Sequence, residues 1–468
     1  MSINCCTTLE STTCLARELT TSASQEIIVE DYRTTLQSVS ATGLSLGIYI
    51  SVPFCRTKCS FCNFASGVFS SAAFERYVGQ VCTEIQAAEQ IAQVLGGELD
   101  QRVDSIYLGG GTPSVLAPDQ LERIFQGVRD RFGVERSAEI TVECAPGTIT
   151  EEVLQALLRC GVNRVSLGVQ SFVDNECSSV GRQHTRAVTL DDIARLRANG
   201  IGNISLDLIA GLPHQTEESW NFSLGETLAT GVPHVSVYML EVDEDSRLGT
   251  ELLAGGGRYH AHFVPDDDLT ADLYLAACER LAKGAVQQYE ISNFARPVTH
   301  GMGLRDSRHN LKYWTRQPYL GFGVDAHSML IANAELRAQG VQALRFATPD
   351  SLERYSAAAN ELEPIRARAS QLCASRTLVN VHAALEESFF LGLRMTRGVS
   401  VASLREQFGD VVINKLQPVI TELVNDGLLE SLGDRMRLTE RGRLLSNEVF
   451  GRFLQDRTAN QTKAQTRG

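Results

Sequence analysis

Residues 55–64 of the chain are CRTKCSFCNF. Cys55, Cys59 and Cys62 stand at spacing C-x3-C-x2-C, with Asn63 and Phe64 directly behind them. A structural zinc site takes four ligands, commonly two C-x2-C pairs or a Cys/His mixture. No fourth ligand follows within reach of this loop. Thiolates suit zinc and iron–sulfur clusters alike, and a [4Fe–4S] cluster is ordinarily held by four cysteines. Three cysteines therefore leave one iron open to another molecule. A zinc loop or unrelated thiols are the competing readings of the spacing alone.

Outward from the loop, a unit repeats from Gly47 to about Leu240: a short apolar run, a polar turn, then an amphipathic helix. The runs are Gly47–Val52, Ser105–Leu108, Glu139–Glu143, Arg164–Gly168, Ile204–Ile209 and His234–Leu240. Phe74, Tyr77, Val78, Val81, Ile85, Ala88, Ile91 and Leu95 recur at three and four and predict the first helix. A third helix is expected to begin at Thr148, with Glu151 three residues on, and to stop at Gly161. A fourth is expected to stop at Asn199-Gly200. Strands alternating with helices imply parallel strands joined by right-handed crossovers. The expected fold class is α/β, a partial (β/α)6 barrel related to the TIM barrel, with a doubly wound sheet as the alternative. Polar residues gather after nearly every strand, the edge where barrels build their sites, and the cysteine loop follows the first.

The composition is that of a large globular chain: 468 residues, 43 % hydrophobic, 21 % charged. A net charge of −13 with no strongly basic run argues against nucleic acid as the main partner. No stretch of 18 apolar residues predicts a transmembrane helix. Residues 1–45 are Thr/Ser-rich and acidic, carry Cys5, Cys6 and Cys14, and lack the marks of a secretory or transit signal. They are expected to form a weakly ordered extension. Twelve cysteines without such a signal fit reduced thiols and a cytoplasmic location.

After the second run comes LGGGTPS, with Gly109, Gly110, Gly111, Thr112, Pro113 and Ser114. Glycines let a backbone approach a ligand closely, and their N–H groups can meet an anionic end such as a carboxylate. Alone, such a turn is weak evidence. Together with the cysteine spacing, it makes residues 47–330 resemble the radical S-adenosylmethionine (radical SAM) superfamily. The resemblance implies that Cys55, Cys59 and Cys62 hold a [4Fe–4S] cluster whose open iron chelates SAM. Reduction of the cluster then splits the sulfonium to methionine and a 5′-deoxyadenosyl radical. Implied SAM contacts are Gly110, Gly111 and Thr112, Glu143 in TVEC, Gln170 in GVQS, Arg182 in GRQH and Asp207 in SLDLIAGLP. Tyr49, Phe61 and Asn63 join them by the same resemblance. Asp207 has its own physical argument, since a carboxylate inside an apolar strand must be paired or met by a ligand.

Within the superfamily the chain resembles the branch that contains oxygen-independent coproporphyrinogen III dehydrogenase and the HemW-type heme chaperones. The dehydrogenase pattern has a fourth cysteine two residues after the third; here that position is Phe64, as in the chaperones. SRHNLKYW (307–314) contains H-N-x-x-Y-W, associated with heme binding in the chaperones. His309 can ligate heme iron, and Tyr313 and Trp314 offer flat apolar surface. The other reading is a buried turn with Trp314 in the core. Two departures stand out: Ser51 where the family commonly has His, and Val324-Asp325 in place of small residues.

The expected organisation is a barrel over 46–245, a heme- or tetrapyrrole-associated region completing it over 246–375, and a winged-helix-like domain over 376–468. Segment 286–330 reads as irregular. From Ser375 onward 13 Lys/Arg face 11 Asp/Glu, which gives little support to DNA binding. The resemblance implies a heme chaperone with a cluster, SAM and heme as cofactors, and with recipient heme proteins and an electron donor as partners. Any membrane contact would be peripheral. The alternative function is oxidative decarboxylation of coproporphyrinogen III or another radical reaction on a tetrapyrrole. No side chain is assigned as catalytic.

Overall fold

The computed structural model describes residues 44–244, 246–255, 257–298, 303–360 and 372–454. The expected N-terminal extension lies outside them except for its last two residues. Six strands, β1 (Leu46–Val52), β2 (Arg102–Gly110), β3 (Gly133–Cys144), β4 (Arg164–Gln170), β5 (Asn203–Ala210) and β6 (His234–Met239), pair in chain order. All of these pairings are parallel. β1 is buried at every position, as a strand covered on both faces must be. Helices cover the outer face, and one apolar cluster joins Ile48, Ile106, Val142, Val165, Leu206 and Val235 to residues of those helices.

The sequence places the strands well and some helix ends less well. The first predicted helix is two, Ser71–Gln86 and Ala88–Leu95, because the backbone leaves helical geometry at Ala87. No glycine or proline marks that break. The helix expected from Thr148 begins at Glu151, and its cap is Thr150, whose hydroxyl accepts from Val153 N–H at 3.3 Å. Thr148 instead donates to the carbonyl of Ala145 at 2.6 Å and pairs with Ser114. Gly161 and Gly200 take the left-handed conformation expected after a helix, φ +72° and +87°.

The stretch read as irregular contains three short strands, one of them the two-residue Gln287–Gln288, and the start of a fourth. β7 (Asn293–Ala295) runs antiparallel on β6, and β8 (Tyr319–Phe322) pairs parallel with the outer side of β1. β9 (His327–Ala332), β10 (Val341–Ala347) and β11 (Ser375–Asn380) extend that side antiparallel. The resulting order, β11-β10-β9-β8-β1-β2-β3-β4-β5-β6-β7 with Gln287–Gln288 beyond β7, is an open path, so the barrel is partial. Four residues of YLGF carry too little periodicity to announce a strand; pairing with β1 makes them one.

The C-terminal part builds its own core from Phe389, Phe408, Leu423, Met436 and Phe453, which also takes in Trp314. Its strands Leu429–Leu432 and Arg435–Leu438 form an antiparallel wing, joined at the edge by Val399–Ser400. Among the described residues no helix is long and apolar enough to cross a membrane.

Candidate cluster and cofactor site

The cysteine loop leaves the C-terminal end of β1 and is pinned at both ends. Cys55 N–H donates to the carbonyl of Gly67 and Gly67 N–H to that of Pro53, each at 2.9 Å. Lys58 Nζ closes the loop on the carbonyl of Phe64 at 3.1 Å. Ser60 N–H reaches the carbonyl of Val180 at 3.1 Å, tying the loop to the segment after β4. Cys59 and Phe61 pack into an apolar cluster with Val180, Ile209, Leu212, Leu248 and Ala261. All three thiols are free. The Thr112 hydroxyl donates to Cys55 Sγ, and Ser66 Oγ lies beside Cys62 Sγ, each pair at 3.7 Å. Burial raises the pKa of Cys55 and Cys59, and the guanidinium of Arg182 pulls both back toward thiolate.

The three cysteines face a cleft of about 670 Å³, counting its open mouth. Its walls are the ends of β2 to β5: Gly110, Gly111 and Thr112, then Glu143, Ser166, Gln170 and Asp207, with Arg182 beyond. The glycine run acts here by shape and not by free donors. Gly110 N–H donates to Glu143 at 3.1 Å, Gly111 N–H to the carbonyl of Val52 at 2.8 Å, and Thr112 N–H to that of Phe54 at 2.7 Å. The expectation that these N–H groups await a carboxylate is corrected accordingly. A Cβ on Gly111 would meet the carbonyls of Phe54 and Val52 at 2.7 and 2.8 Å, and one on Gly109 the Glu143 carboxyl at 2.9 Å. Gly110 has φ +100°, which only glycine adopts cheaply.

The polar wall divides into settled and unsettled groups. Glu143 accepts from Tyr107 Oη at 2.8 Å as well as from Gly110. Asp207 accepts from Ser166 Oγ at 3.1 and 3.0 Å and from Ser205 Oγ at 3.4 Å, so serines meet the cost of its burial. Gln170 and Arg182 are different: Gln170 Oε1 and Arg182 Nε are buried without a hydrogen-bond partner. Gln170 also holds φ +68° without being glycine, a conformation that costs of order 1–3 kcal/mol. Strain and unpaired polar atoms at one cleft wall are what a site waiting for a polar ligand shows.

Three thiols on a pinned loop, opposite an unpaired amide oxygen and guanidinium, fit a [4Fe–4S] cluster and a zwitterionic ligand beside it. Among the described residues no three His, Cys, Asp or Glu side chains converge to hold a single metal ion. Phe64, standing where a fourth cysteine would be, lines the cleft as well.

Three expected residues are not brought to the cleft. Asn63 is exposed and donates to Asp243 at 3.2 Å. Tyr49 lies beneath the glycine wall, its ring stacked on Tyr107 with centroids 6.2 Å apart. His309 sits at the opposite end of the barrel, 1 % exposed, in the helix Arg308–Trp314. Its Nδ1 is 3.1 Å from Ser105 Oγ and its Nε2 2.9 Å from Tyr313 Oη. Its backbone N–H reaches Glu139 at 3.1 Å. Both ring nitrogens of His309 thus meet hydroxyls, and Trp314 is core, stacked under Arg394 at 4.3 Å. Ser166, not among the expected residues, also lines the cleft; its signal is a serine inside the apolar strand RVSLGVQ, in register with Ser205 and bonded to Asp207.

Residues 49–223 match the model of the radical SAM superfamily, and residues 379–445 that of the HemN C-terminal domain. The heme chaperone HemW of Lactococcus lactis is 32 % identical over 408 residues, covering 87 % of this chain and 97 % of the relative. HemW of Bacillus subtilis is also 32 % identical, with 87 % and 98 % covered, and HemW of Escherichia coli 27 %, with 87 % and 98 %. The structure of coproporphyrinogen III oxidase (HemN) from Escherichia coli superposes with a TM-score of 0.72 at 21 % identity, covering 90 % of this chain and 93 % of that one, a likeness of fold. From the cysteine loop to the C-terminal wing, the chain belongs to the HemW family of radical SAM proteins.

Proposed function

We propose that this protein binds heme and passes it to recipient heme proteins, its HemW relatives being named heme chaperones. The observation that carries the reading is likeness along nearly the whole length of HemW chaperones, not of the barrel alone. Phe64 in the cleft wall agrees with it, as the sulfur of the dehydrogenase pattern is replaced by an inert ring.

In this reading Cys55, Cys59 and Cys62 would hold the cluster, and Gln170, Arg182, Glu143 and Asp207 would take SAM beside it; the bound group would supply one-electron reduction of the SAM sulfonium. The chain's own contribution is to bury that chemistry, fix the thiols through Thr112 and Ser66, and place one cation, Arg182, where it favours thiolates. Cofactor occupancy would brace the loop, and with it the face built from Leu248 and Ala261.

The test is anaerobic titration of the cluster-reconstituted protein with ferric heme, followed by transfer to an apo-heme protein. Saturable uptake and transfer support the carrier. A second reading, decarboxylation of coproporphyrinogen III, is favoured by the polar wall being complete. Turnover of that substrate with SAM and a reductant, without heme uptake, would replace the first reading with the second.

A further inference from the structure

The two hydroxyls that meet the His309 ring are held very differently. Ser105 is fully buried in the first half of β2, in register with Gly47 of β1 and Glu139 of β3. Its Oγ lies 3.1 Å from Nδ1. Tyr313 is half-buried, one turn along the same short helix, with Oη 2.9 Å from Nε2. A serine inside a parallel sheet has nowhere to go, whereas a half-buried tyrosine can change rotamer. Of the two ring nitrogens, only Nε2 can be uncovered without opening the sheet.

Neighbours of Ser105 seat the rest of the helix. Glu139 accepts from His309 N–H at 3.1 Å and from Ser307 Oγ at 3.3 Å. Lys312 Nζ forms an ion pair with Asp104 at 2.8 Å and donates to the carbonyl of Ser45 at 2.6 Å. Arg308 reaches the carbonyls of Asp104 and Ser137 at 3.3 and 3.0 Å. Gly47 leaves room for this packing, as a Cβ there would meet Lys312 Cδ at 2.7 Å. The imidazole also stacks on Tyr107, with ring centroids 5.4 Å apart and planes at 28°. Its place and angle are set from the strand side, and the group that can be exchanged is the one at Nε2.

A histidine that ligates a metal donates its other ring N–H to a fixed acceptor, which sets the tautomer and raises the basicity of the ligating nitrogen. One tautomer serves both contacts here: Nδ1–H donates to Ser105 Oγ, and the Tyr313 hydroxyl donates to the Nε2 lone pair. Coordination to ferric heme then needs only an exchange. The Nε2–iron bond forms, the Tyr313 hydrogen bond and a water on the iron are released, the Nδ1 proton stays, and no electron moves. We propose that Ser105 is the positioning residue of a heme ligand that binds through His309 Nε2, and that the Tyr313 hydroxyl occupies this nitrogen until iron replaces it. The inference rests on the heme-carrier reading, in which the histidine of H-N-x-x-Y-W meets the iron.

The experiment is anaerobic titration of the full-length, cluster-reconstituted protein with ferric heme, read at the Soret band, followed by redox titration of the bound heme. The variants are Tyr313→Phe, Ser105→Ala and His309→Gln. Tyr313→Phe keeps the ring and removes the competing hydroxyl, so heme affinity is expected to rise about fivefold, the worth of one hydrogen bond. A tyrosine with only a packing role would leave affinity unchanged or lower. Ser105→Ala is expected to weaken binding about tenfold and to move the ferric/ferrous midpoint potential upward, because a less basic imidazole favours ferric iron less. His309→Gln is expected to lose the wild-type Soret band. Affinity that does not rise in Tyr313→Phe, or a potential that does not move in Ser105→Ala, overturns this inference and leaves the carrier reading standing. A wild-type Soret band in His309→Gln does the same. No saturable uptake by the wild type overturns both.

Discussion

His309 Nε2 and the hydroxyl of Tyr313 stand 2.9 Å apart, one helical turn from each other, inside the closed end of the barrel. The same imidazole reaches Ser105 Oγ on β2 through Nδ1, so one side chain fastens the helix Arg308–Trp314 to the parallel sheet. Replacing it with alanine takes this partner from the fully buried Ser105 hydroxyl, a cost of about 1–3 kcal/mol for a buried group left unsatisfied. We therefore expect His309→Ala to lower the denaturant midpoint of the apoprotein, with no heme in the sample. A midpoint equal to wild type would show that these bonds carry no stability.

Acid should unfold the protein through its buried histidines. Burial lowers the pKa of His309 to about 3 and of His184 to about 4, and lowers that of His234 as well. An unfolded histidine titrates near ~6.5. Between that value and the folded one, the unfolded chain binds the extra protons, so stability is full above ~6.5 and falls as pH drops below it. Denaturant midpoints measured between pH 7 and 5 should decline, and His309→Gln should decline less steeply than wild type. Equal slopes would remove His309 from the account.

The cysteine loop keeps its shape through backbone bonds at Cys55, Ser60 and Gly67, which do not depend on sulfur. Serine at Cys55, Cys59 or Cys62 should abolish the broad iron–sulfur absorption of reconstituted protein while the far-ultraviolet circular dichroism stays that of wild type. Retention of a full cluster by the triple variant would contradict the ligand assignment.

Gln170 separates binding from stability. Glycine there relieves the positive φ and removes a buried oxygen that has no partner. We expect Gln170→Gly to stay within about 1 kcal/mol of wild-type stability. SAM affinity, measured by calorimetry on the cluster-reconstituted protein, should fall about tenfold, as one buried hydrogen bond is lost. Unchanged affinity would take Gln170 out of the SAM site.

Gly111→Ala tests the glycine wall as shape. The added methyl meets two backbone carbonyls, of Phe54 and Val52, closer than carbon and oxygen tolerate. Overpacking of this kind costs about 1–3 kcal/mol, and here it displaces the start of the cysteine loop. Reduced iron content on reconstitution is the expected reading; full iron with an unshifted melting temperature would refute it.

The local pattern alone carried the barrel strands and the cysteine loop, and the resemblance to the radical SAM superfamily added most of the cleft walls. Period-two and period-3.6 hydrophobicity, turn glycines and ligand spacing are all written within about a dozen neighbouring residues. Cys55, Cys59, Cys62, Glu143, Gln170, Arg182 and Asp207 come from five separate stretches, and the rule that sites form at the carboxyl ends of barrel strands gathers them. What the tertiary structure decided were matters of partner and depth. β8 is a strand because β1 offers it an edge. The N–H groups of the glycine run are used up by Glu143, Val52 and Phe54. The histidine of H-N-x-x-Y-W lies buried between β2 and its own helix. A sequence names the atoms able to bind; whether a given nitrogen is already spent depends on residues far away in the chain, brought near only by folding.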